Sequence, residues 1–204
     1  MRALAMLFAL VSTASGGNDT SFFDGRTLAG WKGQLQYWSA NNGAIVGTSP
    51  GTGLRHNTFL CSERSYRDFE LRFQVRLRDG AGNSGVQVRS TLMDPKTFDV
   101  RGPQCDIGAG YWGDLYGEHM GGIIRHAPKD KVQEAVKLAD FNDYLIRCVG
   151  KRVAIIINGV TMIDDEFPNV PDEGIIAFQL HSGGPTEVTF RKIEFRELAA
   201  DARR

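Results

Sequence analysis

The chain alternates hydrophobic and polar residues in many short segments, which is the pattern of β-strands with one buried face. In the clearest segment, residues 68–78, five hydrophobic residues occupy every second position, and charged or amide side chains fill the positions between them. A helix does not produce a strict period of two over this length. One face of this strand is therefore predicted to enter the core, and the other to meet solvent or a polar ligand.

Further strands are predicted for residues 44–47, 143–149, 152–157, 160–163, 174–181 and 187–198. Gly150-Lys151 and Asn158-Gly159 lie between successive strands and are typical of tight hairpin turns. In the last strand the hydrophobic phase shifts between Phe190 and Ile193, which predicts a bulge near Arg191-Lys192. Residues 130–138 fit either a short helix or a surface loop. The whole pattern indicates an all-β, two-sheet antiparallel sandwich.

Three of the strand-like segments share an unusual polar pair, a glutamine followed two positions later by an ionisable residue. The pairs are Gln87 with Arg89, Gln104 with Asp106, and Gln179 with His181. Residues i and i+2 of a strand point to the same face. If the three strands are neighbours, one sheet face carries all six side chains, a composition suited to a polyhydroxylated ligand. Arg89, Asp106 and His181 are therefore expected to converge in one hollow.

Composition limits the classes of function. Formal net charge is +0, so no excess of basic residues suggests binding to nucleic acid or an anionic membrane. The first 18 residues combine Arg2, a short apolar run and small residues, as a secretory signal peptide does. That run is too short to span a membrane. The sequence thus predicts an exported protein, periplasmic or extracellular, with a domain over residues 19–198 and a disordered tail over 199–204.

The chain contains three cysteines, Cys61, Cys105 and Cys148, and each lies in an apolar strand-like run. An odd number cannot pair completely within one chain. Buried free thiols are the favoured interpretation, and one disulfide plus one free thiol is the alternative. The spacing fits no zinc motif.

Several short motifs, taken in order, resemble the 3-keto-disaccharide hydrolase domain family of secreted bacterial proteins. They lie in residues 23–31, 68–71, 82–89 and 106–116, at Asn142, and in residues 158–159, 174–183 and 190–193, and the resemblance as a whole spans residues 21–198. It implies a concanavalin A-like or laminin G-like jelly roll with a ligand groove on one sheet. It also implies action on glycosides whose sugar carries a ketone at C3. Phe141-Asn142 departs from the Trp-Asn common in such proteins, and the aromatic character is kept.

A ketone at C3 acidifies the hydrogen on C2, so a base can remove this hydrogen as a proton. The group at C1 then leaves by β-elimination. Water later adds to the resulting double bond. This route needs a base, an enolate stabiliser and an acid. His181 suits the base, Arg89 the stabiliser, and Asp106 or Glu118 the acid. A divalent metal bound by Asp106 and His181 is a further alternative, although no metal-ligand spacing is present. The sequence does not decide which of Asp106, Glu118 and His181 is the base.

The remaining candidates are ligand-binding side chains, and each has a structural alternative. Amides suited to hydrogen bonding with sugar hydroxyls are Gln87, Gln104, Gln179 and Asn83, and aromatic residues suited to stacking on a sugar ring are Trp112 and Tyr116. Arg89 equally suits a structural ion pair, Asn83 a turn, and the aromatic residues a plug at the end of the sandwich. A non-catalytic carbohydrate-binding module on the same sandwich is the alternative function.

Overall fold

The computed structural model describes residues 19–199, which form two antiparallel sheets of seven strands each. In spatial order, the first sheet contains β1 (Trp31–Lys32), β4 (Thr58–Tyr66), β13 (Gly174–Leu180), β6 (Asn83–Asp94), β7 (Asp99–Gly108), β8 (Leu115–Glu118) and β9 (Gly122–Arg125). The second contains β12 (Val160–Glu166), β11 (Arg152–Ile157), β10 (Asn142–Val149), β5 (Phe69–Leu77), β14 (Glu187–Glu197), β3 (Ala44–Thr48) and β2 (Trp38–Asn41). The predicted all-β, jelly-roll-like sandwich is confirmed.

Alternation along the strands places the core between the two sheets. In β5 the hydrophobic residues are all buried, and the charged residues between them are exposed or half-buried. Across the interior, the ring of Phe178 in the first sheet lies 4.5 Å from that of Phe190 in the second. The bulge in β14 is confirmed, because pairing with β5 shifts between Arg191 and Glu194, and Lys192 has φ of 50°.

The shorter predictions have mixed outcomes. One helix, α1, covers Lys129–Ala135, which settles the helix-or-loop alternative in favour of a helix shorter than the predicted segment. A 3-10 turn covers Arg78–Gly80. Residues 108–122, a segment of glycines and aromatic residues that the sequence suggests to be a loop, contain β8 and the start of β9 and so do not form a continuous loop. All three cysteines are buried free thiols, as favoured.

Two predictions fall largely or wholly outside the described residues. The signal peptide over residues 1–18 lies entirely beyond them, and the tail over 199–204 lies beyond them except for Ala199. Within the described part of the chain, no helix has the length and hydrophobicity needed to cross a membrane.

Candidate functional site

A pocket of about 280 Å³ lies on the outer face of the first sheet. Its floor comes from three neighbouring strands and contains Asn83, Gln104, Asp106 and Gln179. Its walls contain Asn57, Tyr111, Tyr116, Glu118 and His181. The floor residues point outward because their strand neighbours, such as Phe178 and Cys105, belong to the core between the sheets. Seven of the ten predicted site residues thus line one pocket.

A hydrogen-bonded bridge of amides organises the pocket floor. Gln104 Nε2 donates to Asp106 Oδ1 at 2.7 Å and to Gln179 Oε1 at 3.2 Å. The second bond must cross β6, which lies between β7 and β13. Gly85 of β6 makes this crossing feasible, since a Cβ there would lie 2.6 Å from Gln104 Cδ. A glycine at this position is therefore part of the site, because it clears the path for the Gln104 side chain.

Asp106 has the electrostatic properties of a proton-transfer group. Its side chain is almost completely buried, and burial is the main reason that its pKa is raised from 3.8 to about 7. The hydrogen bond from Gln104 lowers this pKa, while the nearby carboxylates of Asp114 and Glu118 raise it. A carboxyl group that titrates near neutral pH can accept or donate a proton under physiological conditions.

Glu118 and His181 stand beside each other at one edge of the pocket. Burial is the main cause that raises the pKa of Glu118, and positive charge on His119 and His181 lowers it. The Nδ1 atom of His181 lies 2.6 Å from the carbonyl oxygen of Ser182. Because a carbonyl only accepts hydrogen bonds, Nδ1 carries the proton in the neutral ring, and Nε2 keeps its lone pair.

Two buried polar atoms of the pocket have no hydrogen-bond partner within residues 19–199. They are Gln179 Nε2, a donor, and Asn83 Oδ1, an acceptor. Unsatisfied buried polar atoms are rare in proteins and call for a specific explanation. A hydroxyl group supplies both an acceptor and a donor, so these atoms fit a site that binds a sugar.

Tyrosines form part of the pocket wall. Tyr111 is 46% exposed, and Tyr116 lies on β8 opposite Gln104. An exposed aromatic ring beside hydrogen-bonding groups suits the apolar C–H face of a sugar. Tyr111 lies in the same segment, residues 108–122, as Trp112 and Tyr116, which are the residues that the sequence analysis predicts to stack on the ligand.

Arg89 does not lie in the pocket, so its expected convergence with Asp106 and His181 is wrong. It is fully buried, and its guanidinium donates to Asp68 Oδ1 at 3.0 Å and to three backbone carbonyls. Pairing of β6 with β7 shifts after Gln87, and Arg89 has φ of 49°. The bulge ends the regular alternation, so Arg89 leaves the face that Gln87 occupies. It lies against Gly174 at the opposite end of β13 from the pocket.

Gln87 and Trp112 are also outside the pocket. Gln87 is fully buried, and its amide lies 3.0 Å from that of Gln104 and 2.6 Å from Ser90 Oγ. It therefore holds the Gln104 amide in place without lining the pocket. Trp112 is only 2% exposed and belongs to the main hydrophobic core. Its packing matches the structural alternative, a plug in the sandwich, because its side chain turns away from the sheet's outer face.

Asn57 is a pocket residue that the sequence did not single out. It directly precedes β4, and its Oδ1 accepts a hydrogen bond from the backbone N–H of Ser182 at 2.8 Å. It thereby fixes the loop that carries His181. A lone asparagine before a strand resembles an ordinary turn residue, so no local pattern marks it.

The pocket does not form a ready metal centre. Across the described range, no group of three or more histidine, cysteine, aspartate or glutamate side chains is arranged to hold a metal ion. The predicted pair, Asp106 and His181, lines the same pocket as Glu118, but these three side chains are not arranged around a common point, and Asp106 is already bonded to Gln104. The donor set therefore does not fit a preformed metal site.

Comparison with known proteins identifies the family. Residues 18–196 match the domain family described as 3-keto-alpha-glucoside-1,2-lyase-like. The chain belongs to this family. The match covers nearly all of the described residues and confirms the resemblance found in the sequence. No curated protein sequence is significantly similar to the chain.

Two of the solved structures with a similar fold belong to carbohydrate-related proteins. The carbohydrate-binding module CBM66 of Bacillus subtilis superposes with a TM-score of 0.63 at 17% identity, covering 82% of this chain and 96% of that one. A Parabacteroides distasonis protein provisionally named a glycosyl hydrolase gives 0.60 at 22% identity, covering 83% and 94%. At these identities the likeness establishes the sandwich fold alone.

Proposed function

We propose that this chain is an exported enzyme that cleaves 3-keto glycosides by removal of the C2 proton, β-elimination and hydration. The observation that carries the proposal is the pocket floor, where Asp106, with a pKa of about 7, is held beside the unpaired donor Gln179 Nε2. A base and a hydrogen-bond donor side by side are what proton removal next to a ketone requires. Membership in a 3-keto-alpha-glucoside-1,2-lyase-like family supports the proposed class of substrate.

In the proposed reaction the Asp106 carboxylate takes the proton from C2. The electron pair of the C2–H bond moves toward the C3 oxygen, where the Gln179 amide stabilises the growing negative charge. Collapse of the enolate forms the C1=C2 double bond and breaks the bond from C1 to the leaving oxygen. Water then adds its hydroxyl to C1 and a proton to C2, which completes a net hydrolysis.

The leaving oxygen needs a proton, and the groups at the pocket edge assigned to deliver it are Glu118 and, in the form that carries a proton on Nε2 as well as on Nδ1, His181. Burial raises the pKa of Glu118, so it keeps a proton at higher pH than an exposed glutamate does. The two residues interact electrostatically and lie on the same edge. Asp106, on the floor, is left as the base.

The direct test is release of 4-nitrophenol from 4-nitrophenyl 3-keto-α-glucoside, with the unoxidised glucoside as the control substrate. We expect turnover of the keto substrate alone, because only its C2 hydrogen is acidified. Asp106→Asn is expected to abolish it, whereas Asp79→Asn, at an exposed turn position outside the pocket, is the matched control and keeps it. A folded protein that binds the keto sugar without consuming it would instead be a carbohydrate-binding module.

Substrates with good and poor leaving groups distinguish the residue that acts as the acid from the residue that acts as the base. Nitrophenolate leaves without protonation, while an alkoxide requires it. Glu118→Gln and His181→Ala are therefore expected to lose much more activity on a methyl 3-keto-glucoside than on the nitrophenyl compound. Asp106→Asn should lose activity on both, and an equal loss for all three variants on both substrates would refute the assignment.

A further inference from the structure

A second pocket of about 440 Å³ adjoins the one that holds Asp106. The two pockets share three wall residues, Asn57, Glu118 and His181. The rest of the second pocket is formed by Arg55, His56, Thr97, Asp99, His119 and Ser182. The three shared residues therefore form the wall between the two pockets. Both pockets are lined by Glu118 and His181, the residues assigned to protonate the leaving oxygen.

If the proposed function holds, the glycosidic bond that is cleaved lies at the wall shared by the two pockets. The keto ring must place C2 against Asp106 in the first pocket, and the leaving oxygen must meet Glu118 or His181. Because these two residues face both pockets, the leaving group extends into the second one. The second pocket is thus the space for the aglycone.

The second pocket differs in chemistry from the first. All of its lining residues carry polar side chains, and it contains neither an aliphatic residue nor a tyrosine. An aryl or alkyl aglycone finds no aliphatic side chain there to pack against, so its burial would bring a limited hydrophobic gain. The lining fits a hydroxylated, hydrophilic group.

Charge in this pocket is uneven. Asp99 is paired with His119, whose Nε2 lies 2.9 and 3.2 Å from its two carboxylate oxygens. Burial raises the pKa of Glu118, so this carboxyl group holds its proton to a higher pH than an exposed glutamate does. Arg55 is exposed and forms no ion pair with any carboxylate in the described part of the chain. Its guanidinium is therefore the positive charge in this pocket that lacks a carboxylate partner.

We propose that this second pocket is an aglycone subsite selective for a sugar acid, whose carboxylate binds Arg55. A guanidinium presents parallel N–H donors that match the two oxygens of a carboxylate. The hydroxyl groups of the same sugar acid meet the polar lining of the pocket. The substrate class is then a 3-keto glucoside of a uronic or aldonic acid.

The kinetic test compares matched substrates, the 3-keto-α-glucosides of glucuronic acid and of glucose with the same linkage. The wild-type kcat/KM is expected to favour the acid by about tenfold, as one charge-assisted hydrogen bond gives. The ratio should fall to about one in Arg55→Ala and weaken with rising salt. The control Arg26→Ala, at an exposed arginine outside both pockets, should keep the wild-type ratio. A wild-type ratio of one, or a preference that survives in Arg55→Ala, would overturn the proposal.

A binding measurement separates this inference from the proposed function. Calorimetry with free glucuronate and free glucose needs no turnover, and glucuronate alone is expected to bind in an Arg55-dependent manner. Such binding without any turnover would leave the subsite standing and refute the enzymatic function. Turnover without preference for the acid, together with equal binding of the two sugars, would refute the subsite and leave the function.

Discussion

Asp106 should make the protein less stable as the pH rises, and Asp106→Asn should remove this effect. In the folded protein its pKa is raised to about 7 from an ordinary 3.8, mainly by burial. Asparagine has nearly the same shape, does not titrate, and keeps an oxygen that accepts the hydrogen bond from Gln104 Nε2. The substitution therefore tests the electrostatic cost of a buried carboxylate with little change in packing.

The sign and size follow from linkage between protonation and folding. Between pH 3.8 and about 7 the unfolded chain releases this proton and the folded protein retains it, so stability falls as pH rises through that window. The shift of about 3 pKa units, at about 1.4 kcal/mol per unit, gives a loss of about 4 kcal/mol above pH 7. Carboxylates other than Asp114 and Glu118, which interact with Asp106, titrate nearly identically in both proteins and cancel in the difference between variant and wild type.

Urea denaturation at pH 4 and pH 8 measures this difference directly. We expect the two proteins to be nearly equally stable at pH 4, and Asp106→Asn to be more stable by about 2–4 kcal/mol at pH 8. The same variant should be inactive, so it gains stability where it loses function. Asp79→Asn, at an exposed site, should show no such pH-dependent gain. A difference that does not change between pH 4 and pH 8 would refute the claim that the fold holds Asp106 as a near-neutral acid.

Two further predictions test the supports of the pocket. Gly85→Ala places a Cβ about 2.6 Å from the Gln104 side chain and should displace the amide bridge, so kcat/KM is expected to fall at least about tenfold. The control Gly51→Ala, with open space around the added Cβ, should behave as wild type. Equal activities of the two variants would contradict the role of the bridge. Arg89→Met removes the guanidinium that is paired with the buried Asp68 carboxylate. The free energy of unfolding, measured by urea denaturation, is expected to fall by about 3–5 kcal/mol. A loss below about 1 kcal/mol would contradict the structural role of Arg89.

Local sequence patterns predicted the strands well, because alternation is a property of consecutive residues. The strict period over residues 68–78 corresponds to β5, and the phase shift after Phe190 corresponds to the bulge in β14. The same logic held for the polar pair in β7, where Gln104 and Asp106 keep a regular pleat and share the outer face.

The pattern failed where the backbone was irregular or where contacts were distant in sequence. The bulge after Gln87 turns Arg89 away from the pocket, and nothing in the alternation around it differs from a regular strand. Asn57 enters the site only because β4 lies next to β13, a neighbour relation set by sheet order. The role of Gly85 depends on a glutamine from another strand, so one strand alone cannot show it.

The most direct measurement of the central claim is the effect of deuterium at C2 on cleavage. The wild-type protein would be given 4-nitrophenyl 3-keto-α-glucoside with either hydrogen or deuterium at C2, and the kcat/KM for nitrophenol release compared. Proton removal by Asp106 predicts severalfold slower release from the deuterated substrate, because the C2–H bond breaks during cleavage. Equal rates for the two substrates would contradict it, since direct displacement at C1 leaves that bond intact.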